Sequence, residues 1–270
     1  MALSVRDMTG RSVLVPDVPN RIVSLVPSQT ELLYHLGLGD RIVGVTRFCI
    51  HPDHARQKAT VIGGTKNIDP RRVLDLDPDL VIGNKEENDK PSILAVETKV
   101  PVWLSDIYTL DDALHMIRTI GSLCQCEQDS IELSQEIDRR FRRLPPPTGL
   151  SSRRVIYLIW ANPWMAVAGN TFIDHMITRM GLVNALGQQV RYPIVLDDEL
   201  TALAPEVVLL SSEPFPFQAK HEAQLQSLLP DTVIQHVDGE MFSWYGSRLL
   251  KAPGYLSDLS LRLTEHWSDQ

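Results

Sequence analysis

The sequence has few cysteines and no long apolar run. Its 270 residues include Cys49, Cys124 and Cys126, an odd number, and the last two lie too close together to form a useful disulfide. No segment offers about eighteen uninterrupted apolar residues, and the N-terminus lacks the basic and apolar regions of a secretory signal. We therefore expect reduced thiols, no membrane insertion and a cytoplasmic location, or a periplasmic location if a signal segment has been removed from the chain.

The sequence also has fewer basic than acidic residues, 26 against 34, and its formal net charge is −8. This balance disfavours binding to nucleic acid or to an anionic membrane surface. We expect a small molecule or another protein as the partner.

Motifs typical of catalysis are missing from the sequence. There is no P-loop, no G-x-G-x-x-G after a strand and no G-x-S-x-G elbow. Ser28, His51 and Asp106 could be drawn as a triad, but nothing in the sequence fixes their geometry. Cys49, His51 and His54 share one short segment, yet no C-x-x-C pair or H-E-x-x-H helix completes a zinc site. The sequence predicts a protein that is not an enzyme and requires no cofactor; the alternative is an enzyme acting on a metal cofactor through Cys49 and His51.

Short apolar runs alternate with helical patterns along the chain, as expected of parallel sheets covered by helices. The main runs are RIVSLV (21–26), RIVGV (41–45), LVIG (80–83), VPVWL (100–104), RRVIYLIW (153–160), EVVLLSS (206–212) and TVIQHV (232–237). We predict an α/β fold of two Rossmann-like lobes, each with a parallel sheet, and a ligand cleft between the lobes.

Residues 111–144 contain no proline and a single glycine, Gly121, so they predict one long helix that joins the lobes. Two segments resemble each other in sequence, VLDLDPDLVIGN (73–84) and ELTALAPEVVLLSS (199–212). Each predicts a short helix followed by a buried strand. The predicted boundaries are an N-terminal α/β lobe at 1–110, a bridging helix at 111–144 and a C-terminal α/β lobe at 145–270.

The segment SLVPSQTE (24–31) predicts a helix start directly after the first strand. Ser28 and Glu31 have the spacing of a capping box, in which a hydroxyl and a carboxylate accept hydrogen bonds from the first free amides of a helix. We expect the backbone from Pro27 to Gln29 to form a structural edge of the cleft, at the positive end of that helix.

The residues that follow the strands are polar or aromatic more often than plain connections require. Parallel sheets bind ligands at the carboxyl ends of their strands, and aromatic walls with a few polar groups hold flat or amphipathic molecules. The segment SSEPFPF (211–217) also follows a strand. The candidate ligand-binding residues at these ends are Pro27, Ser28, Phe48, His51, Asn84, Trp103, Trp160, Asn162, Trp164, Trp244, Tyr245 and Arg248.

Several segments together resemble the class III substrate-binding proteins of ABC importers, the helical-backbone metal receptors for cobalamin, haem and iron siderophores. The likeness rests on RIVSLVPSQTELLYHLGLGDRIVGVT (21–46), the DPDLVI phrase, the predicted mid-chain helix and ANPWMAVAGNTFIDHMITRMGLVNAL (161–186). It implies that Tyr192 joins the ligand-binding residues. It also implies that acids in NKEEN and LDDEL dock on an importer permease, and these acids are Glu86, Glu87, Asp198 and Glu199.

These features predict a solute-binding protein for a small-molecule metal chelate that feeds an ABC importer. The expected ligand is cobalamin or another corrinoid, with haem and an iron siderophore as alternatives. His51 is the expected metal ligand, in an axial position of the bound chelate. The alternative function is a cytosolic carrier or scavenger of the same compound.

Overall fold

The computed structural model describes residues 2–145 and 149–267, which form two compact units. The first unit comprises the described residues of Met1–Ile107, Asp111–Arg139 and Trp244–Leu249. The second comprises those of Tyr108–Leu110, Arg140–Ser243 and Leu250–Gln270. Within these described ranges no helix combines the length and the apolar character needed to cross a membrane.

The first unit is built on a five-stranded parallel sheet, whose central strands are buried runs of Val, Ile and Leu. An antiparallel hairpin, β1 (Ala2–Arg6) and β2 (Ser12–Pro16), precedes it. The sheet has the order β5-β4-β3-β6-β7 and contains β3 (Ile22–Ser24), β4 (Ile42–Val45), β5 (Thr60–Val61), β6 (Leu80–Asn84) and β7 (Val102–Ser105). The helices of this part of the chain are α1 (Pro27–His35), α2 (Ala55–Lys58), α3 (Pro70–Asp75), α4 (Lys90–Glu97), α5 (Leu110–Leu123) and α6 (Glu127–Arg142).

The second unit contains a six-stranded sheet of the order β11-β9-β8-β12-β13, with β10 paired to β8. Its strands are β8 (Arg154–Trp160), β9 (Trp164–Ala166), β10 (Val183–Asn184), β11 (Ile194–Val195), β12 (Val207–Ser211) and β13 (Val233–Val237). Strands β10, β8, β12 and β13 are parallel, whereas β9 and β11 are antiparallel additions at one edge. The helices are α7 (Phe172–Arg179), α8 (Asp197–Leu203), α9 (Ala219–Leu228), α10 (Glu240–Ser243) and α11 (Ala252–Glu265).

The parallel sheets confirm the predicted α/β class. The two similar phrases also have the predicted structure, because α3 leads into β6 and α8 leads into β12. The two antiparallel strands of the second sheet were not predicted. Each is only two or three residues long, too short for a pattern of alternating apolar residues to show.

The segment 111–144 differs from the predicted single helix, because it forms two helices, α5 and α6, with a turn between them. Gln125 adopts a left-handed conformation with φ 60°, which ends the α5 hydrogen-bond ladder. Gly121 makes the turn possible, since a Cβ there would lie 1.9 Å from the Ser130 hydroxyl oxygen. The absence of a side chain at this position lets the start of α6 pack directly on α5.

The start of α1 also differs from the prediction. The helix begins at Pro27, with Val26 as its N-cap and no side-chain cap, so the capping box of Ser28 and Glu31 is not formed. Proline is favoured at the first helical position because its φ is already helical and it lacks an amide hydrogen. Ser28 is therefore a buried residue of the first turn.

Glu31 has a different partner, Arg248, which lies in the 244–249 segment of the first unit. The guanidinium donates to both carboxylate oxygens, with Nε to Oε2 at 3.0 Å and Nη2 to Oε1 at 2.9 Å. The two side chains are only 7% and 18% exposed. Gly246 allows this close approach, because a Cβ at that position would lie 2.7 Å from the carbonyl oxygen of Ser28.

We expect Arg248→Ala to lower the free energy of unfolding by about 3 kcal/mol, because Glu31 would keep a buried charge without its bidentate partner. Chemical denaturation of the purified variant measures this. The control is Lys58→Ala, which removes an exposed ion pair with Asp40 at 3.9 Å and should change stability by less than about 0.5 kcal/mol. Equal effects of the two substitutions would contradict the role given to the Arg248 pair.

Candidate ligand-binding site

The carboxyl ends of the first unit's parallel strands lie at one edge of the sheet, and several predicted residues follow them. Phe48 comes after β4 and is 53% exposed, with the Arg47 guanidinium 5.4 Å from its ring centroid. His51 lies three residues further on and is half-buried. Pro27 opens α1 directly after β3 and is also half-buried. Phe48 therefore offers the largest aromatic surface of this group.

His51 is held by a series of ring contacts in the first unit. Its imidazole meets the Trp244 indole edge to face, with ring centroids 5.3 Å apart and an interplanar angle of 71°. The Arg248 guanidinium lies 5.0 Å from the same indole, and Arg248 in turn binds Glu31. Trp244, Tyr245 and Arg248 are all buried. The 244–249 segment therefore supports the His51 ring through Trp244, and its own buried side chains offer little surface to a ligand.

Three other predicted residues of the first unit are buried and present no surface to a ligand in this structure. Trp103 lies within β7 with no exposed area. Asn84 ends β6, donates to the Ser105 hydroxyl at 2.9 Å and accepts from the backbone amides of Glu86 and Glu87. Ser28 is buried in the first turn of α1. Proximity to the carboxyl end of a strand therefore does not by itself make a side chain accessible: Trp103 lies inside β7, Asn84 is the buried last residue of β6, and Ser28 is part of α1.

Cys49 belongs to the hydrophobic interior of the first unit. Its sulfur lies 3.1 Å from the Thr30 hydroxyl and 3.3 Å from the Thr46 hydroxyl. Burial raises the pKa of the Cys49 thiol above its ordinary value, and these hydroxyl contacts only partly oppose that effect. A buried neutral thiol is a poor nucleophile, so the arrangement does not favour the alternative of an enzyme that uses Cys49.

In the second unit, Trp160 and Asn162 stand at the carboxyl end of β8. Trp160 is 43% exposed. Asn162 is exposed, adopts φ 61° and precedes a cis peptide bond to Pro163. Trp164 begins β9 and is buried, with its indole nitrogen donating to the Asp197 carboxylate at 2.8 Å. Trp160 and Asn162 therefore offer the accessible aromatic and amide groups here, while Trp164 anchors the start of α8.

Tyr192 lies half-buried in the connection between β10 and β11. Its neighbour Arg191 places a guanidinium 5.6 Å from the Tyr108 ring centroid and donates to the Tyr108 hydroxyl at 3.3 Å. The contact of Arg191 with Tyr108 has no signal in the local sequence, because the two residues lie 83 positions apart in the chain.

The four predicted docking acids occupy two surface turns. Glu86 and Glu87 are half-buried in the turn after β6, and their backbone amides are held by Asn84. Glu199 accepts from the backbone amide of Leu196 at 2.7 Å and so caps α8. Asp198 is exposed at the same helix start. Both acids are exposed, but Glu199 is engaged in the cap of α8.

A bare metal ion has no evident site in the part of the chain that the structure describes. No group of three or more His, Cys, Asp or Glu side chains within residues 2–145 and 149–267 could hold one. A single imidazole such as His51 can complete the coordination of a metal that is already held by an organic chelate. Axial coordination by His51 stays a prediction.

A group of aromatic residues in the SSEPFPF segment was not among the predicted site residues. Phe215 packs on Trp160 with ring centroids 5.1 Å apart, and Phe217 packs on Phe215 at 5.0 Å. His221 of α9 meets both phenyl rings. The position of the segment directly after β12 and its two phenylalanines were the available signals.

Comparison with known proteins gives this geometry a context. The sequence model of the family described as periplasmic binding protein matches residues 22–239 of this chain. The chain is 26% identical to the vitamin B12-binding protein of Pectobacterium carotovorum over 241 residues, 87% of this chain and 86% of the relative. It is 24% identical to an ABC transporter substrate-binding lipoprotein of Bacillus subtilis over 216 residues, 77% of this chain and 68% of that protein. The structure resembles that of the periplasmic haem-binding protein RhuT from Roseiflexus sp. RS-1, with a TM-score of 0.78 and 21% identity, covering 91% and 98% of the two chains.

These findings confirm the resemblance to class III substrate-binding proteins and the prediction of a binding protein rather than an enzyme. The prediction of a cytoplasmic location is wrong, because the matching family is periplasmic and a relative is a lipoprotein, which points outside the cytoplasm. The N-terminal sequence pattern, on which that prediction rested, did not indicate the location correctly. The alternative function of a cytosolic carrier depended on the same prediction and is wrong for the same reason. The chain is a solute-binding protein and belongs to the periplasmic binding protein family.

Proposed function

We propose that this chain binds a corrinoid and delivers it to an ABC importer. The observation that carries the proposal is the collection of aromatic, amide and imidazole groups at the strand ends, in a chain related over 87% of its length to a vitamin B12-binding protein. The accessible members are Phe48, His51, Trp160 and Asn162.

The chemistry of these groups suits a corrinoid. A corrin ring has broad apolar faces and a rim of amide side chains. Phe48 offers aromatic surface for van der Waals contact with such a face, and Trp160 is a second accessible aromatic ring. The exposed amide of Asn162 can both donate to and accept from a rim amide. Haem and ferric siderophores are the alternative solutes, and they carry carboxylates or hydroxamates in place of the amide rim.

Titration of the purified protein with cyanocobalamin should quench tryptophan fluorescence and saturate near one equivalent, with a Kd of about 1 μM or lower. The partly exposed Trp160 is the expected reporter, because a bound corrin absorbs light in the emission range of indole. Haemin and a ferric hydroxamate are titrated in parallel. If haemin or the ferric hydroxamate binds saturably and cyanocobalamin does not, the compound that binds replaces the corrinoid as the assigned ligand. If none of the three compounds binds, the corrinoid assignment is wrong.

A titration with aquacobalamin followed by visible absorption tests His51. If the His51 imidazole displaces the water bound to cobalt, the corrinoid bands should shift on binding, and His51→Ala should abolish that shift. His54→Ala is the matched control, because His54 is exposed and its ring instead meets Tyr34 at 5.3 Å. An identical spectral shift in both variants would exclude His51 as the axial ligand.

The proposed partner is an importer permease with a basic docking surface, to which Glu86, Glu87, Asp198 and Glu199 contribute. Asp198 is the sharpest test because neighbouring acids are engaged within the second unit: Asp197 accepts from Trp164 and Glu199 from Leu196. Opposite charges across such a surface guide association and fix the register of the complex.

We expect Asp198→Lys to lower uptake of labelled cyanocobalamin by the native host about tenfold, with no change in Kd for the purified protein. A like charge would then face the basic surface. Asp231→Lys, which reverses another exposed acid, serves as the matched control. Equal uptake with the two variants would show that Asp198 has no part in docking.

A further inference from the structure

The second unit carries a cluster of four aromatic rings, formed by Trp160, Phe215, Phe217 and His221. The ring centroids of Trp160 and Phe215 are 5.1 Å apart, with an interplanar angle of 55°. Phe217 stands edge to face on Phe215 at 5.0 Å. Trp160 is 43% exposed and both phenylalanines are half-buried, so one side of the cluster is accessible and the other is packed.

The sheet explains why these residues meet. Strands β8 and β12 are parallel neighbours in which Leu158 pairs with Leu210, so Trp160 and the segment after Ser211 emerge at the same edge. The Ser211 hydroxyl donates to the carbonyl oxygen of Glu213 at 2.6 Å and closes a tight turn. That turn brings Phe215 back against Trp160, although the two lie 55 positions apart in the sequence.

His221 holds the phenyl rings from the packed side. Its side chain is only 3% exposed, and its Nδ1 accepts the backbone N–H of Gln218 at 2.9 Å. The imidazole meets Phe215 at 5.2 Å and Phe217 at 5.9 Å, both edge to face. Rings fixed in this way lose little conformational freedom when a ligand binds.

The shape of the accessible side selects the kind of group that fits. Trp160 and Phe215 are inclined at 55°, so they form a notch and not a flat plate. A broad macrocycle can lie on one of these rings only. A flat bicyclic heteroaromatic ring can instead stack on one face and place its edge against the other, which is the favoured geometry of aromatic pairs.

We propose that the notch of Trp160 and Phe215 binds the benzimidazole base of a cobalamin and makes this protein select corrinoids that carry such a base. The inference rests on the proposed function, because the ligand must be a corrinoid. Phe215 then determines specificity. The base of the ligand is recognised by the notch, independently of the corrin ring.

The test compares cyanocobalamin with dicyanocobinamide, which has the same corrin ring but no base. The wild-type protein should bind cyanocobalamin about tenfold more tightly. Phe215→Ala should weaken cyanocobalamin binding about tenfold and leave the Kd for dicyanocobinamide unchanged. Phe215→Leu keeps most of the apolar volume without the aromatic face and should show the same loss of selectivity. Leu261→Ala, which removes another exposed apolar side chain, is the control and should change neither Kd.

The outcomes separate the two proposals. If the wild type binds both compounds with the same Kd, or if Phe215→Ala weakens the binding of both equally, the proposed role of the notch is wrong and the proposed function still stands. Binding of neither compound by the wild type overturns the proposed function, and the notch with it. A melting temperature for each variant within about 3 °C of the wild type shows that any loss of binding is local.

Discussion

Parallel pairing of the strands in each sheet decides where the candidate ligand-binding side chains lie. Parallel strands all end at the same edge of their sheet, so side chains distant in sequence are brought to one place. In the first unit this edge collects Pro27, Phe48 and His51, and in the second it collects Trp160, Asn162 and Phe215. The buried Val, Ile and Leu of the strands set the position of the edge, and the connections that follow supply its chemistry.

The connections are stabilised individually by polar and aromatic contacts within each unit. Asn84 holds the turn after β6, Ser211 closes the turn after β12, and Trp164 anchors the start of α8 through Asp197. The Arg248 and Glu31 pair fixes the 244–249 segment and, through Trp244, the imidazole of His51. Rigid placement of this kind reduces the entropy lost on ligand binding. The accessible candidate residues and the residues that support them therefore differ in burial more than in residue type.

The sequence predicts the strands well because a fully buried strand has a strong local signal, a short run of apolar residues between turn residues. It also indicates which residues follow each strand. It fails where the outcome depends on a contact between distant residues. Arg248 meets Glu31 across 217 residues, and a local capping pattern at Ser28 and Glu31 therefore gave the wrong partner. The turn at Gln125 likewise depends on the contact between Gly121 and Ser130, which no helical periodicity reveals.

Burial is the other property that the sequence could not supply. Trp103 is the second residue of β7 and is fully buried, whereas Trp160 is the last residue of β8 and is 43% exposed. The exact end of each strand is set by tertiary packing, which the local sequence pattern does not reveal. In the first unit, fewer predicted residues around β6 and β7 are accessible than expected. In the second unit, Phe215 after β12 joins the accessible residues although it was not among the predicted site residues.

A corrinoid bound at these strand ends, as proposed, would colour the purified protein. The chain should be produced in a host grown with cyanocobalamin, purified without added ligand and scanned in the visible range. We expect corrinoid bands at about one equivalent per chain, retained through gel filtration. A colourless protein from that host, or one that carries the Soret band of haem instead, would contradict it.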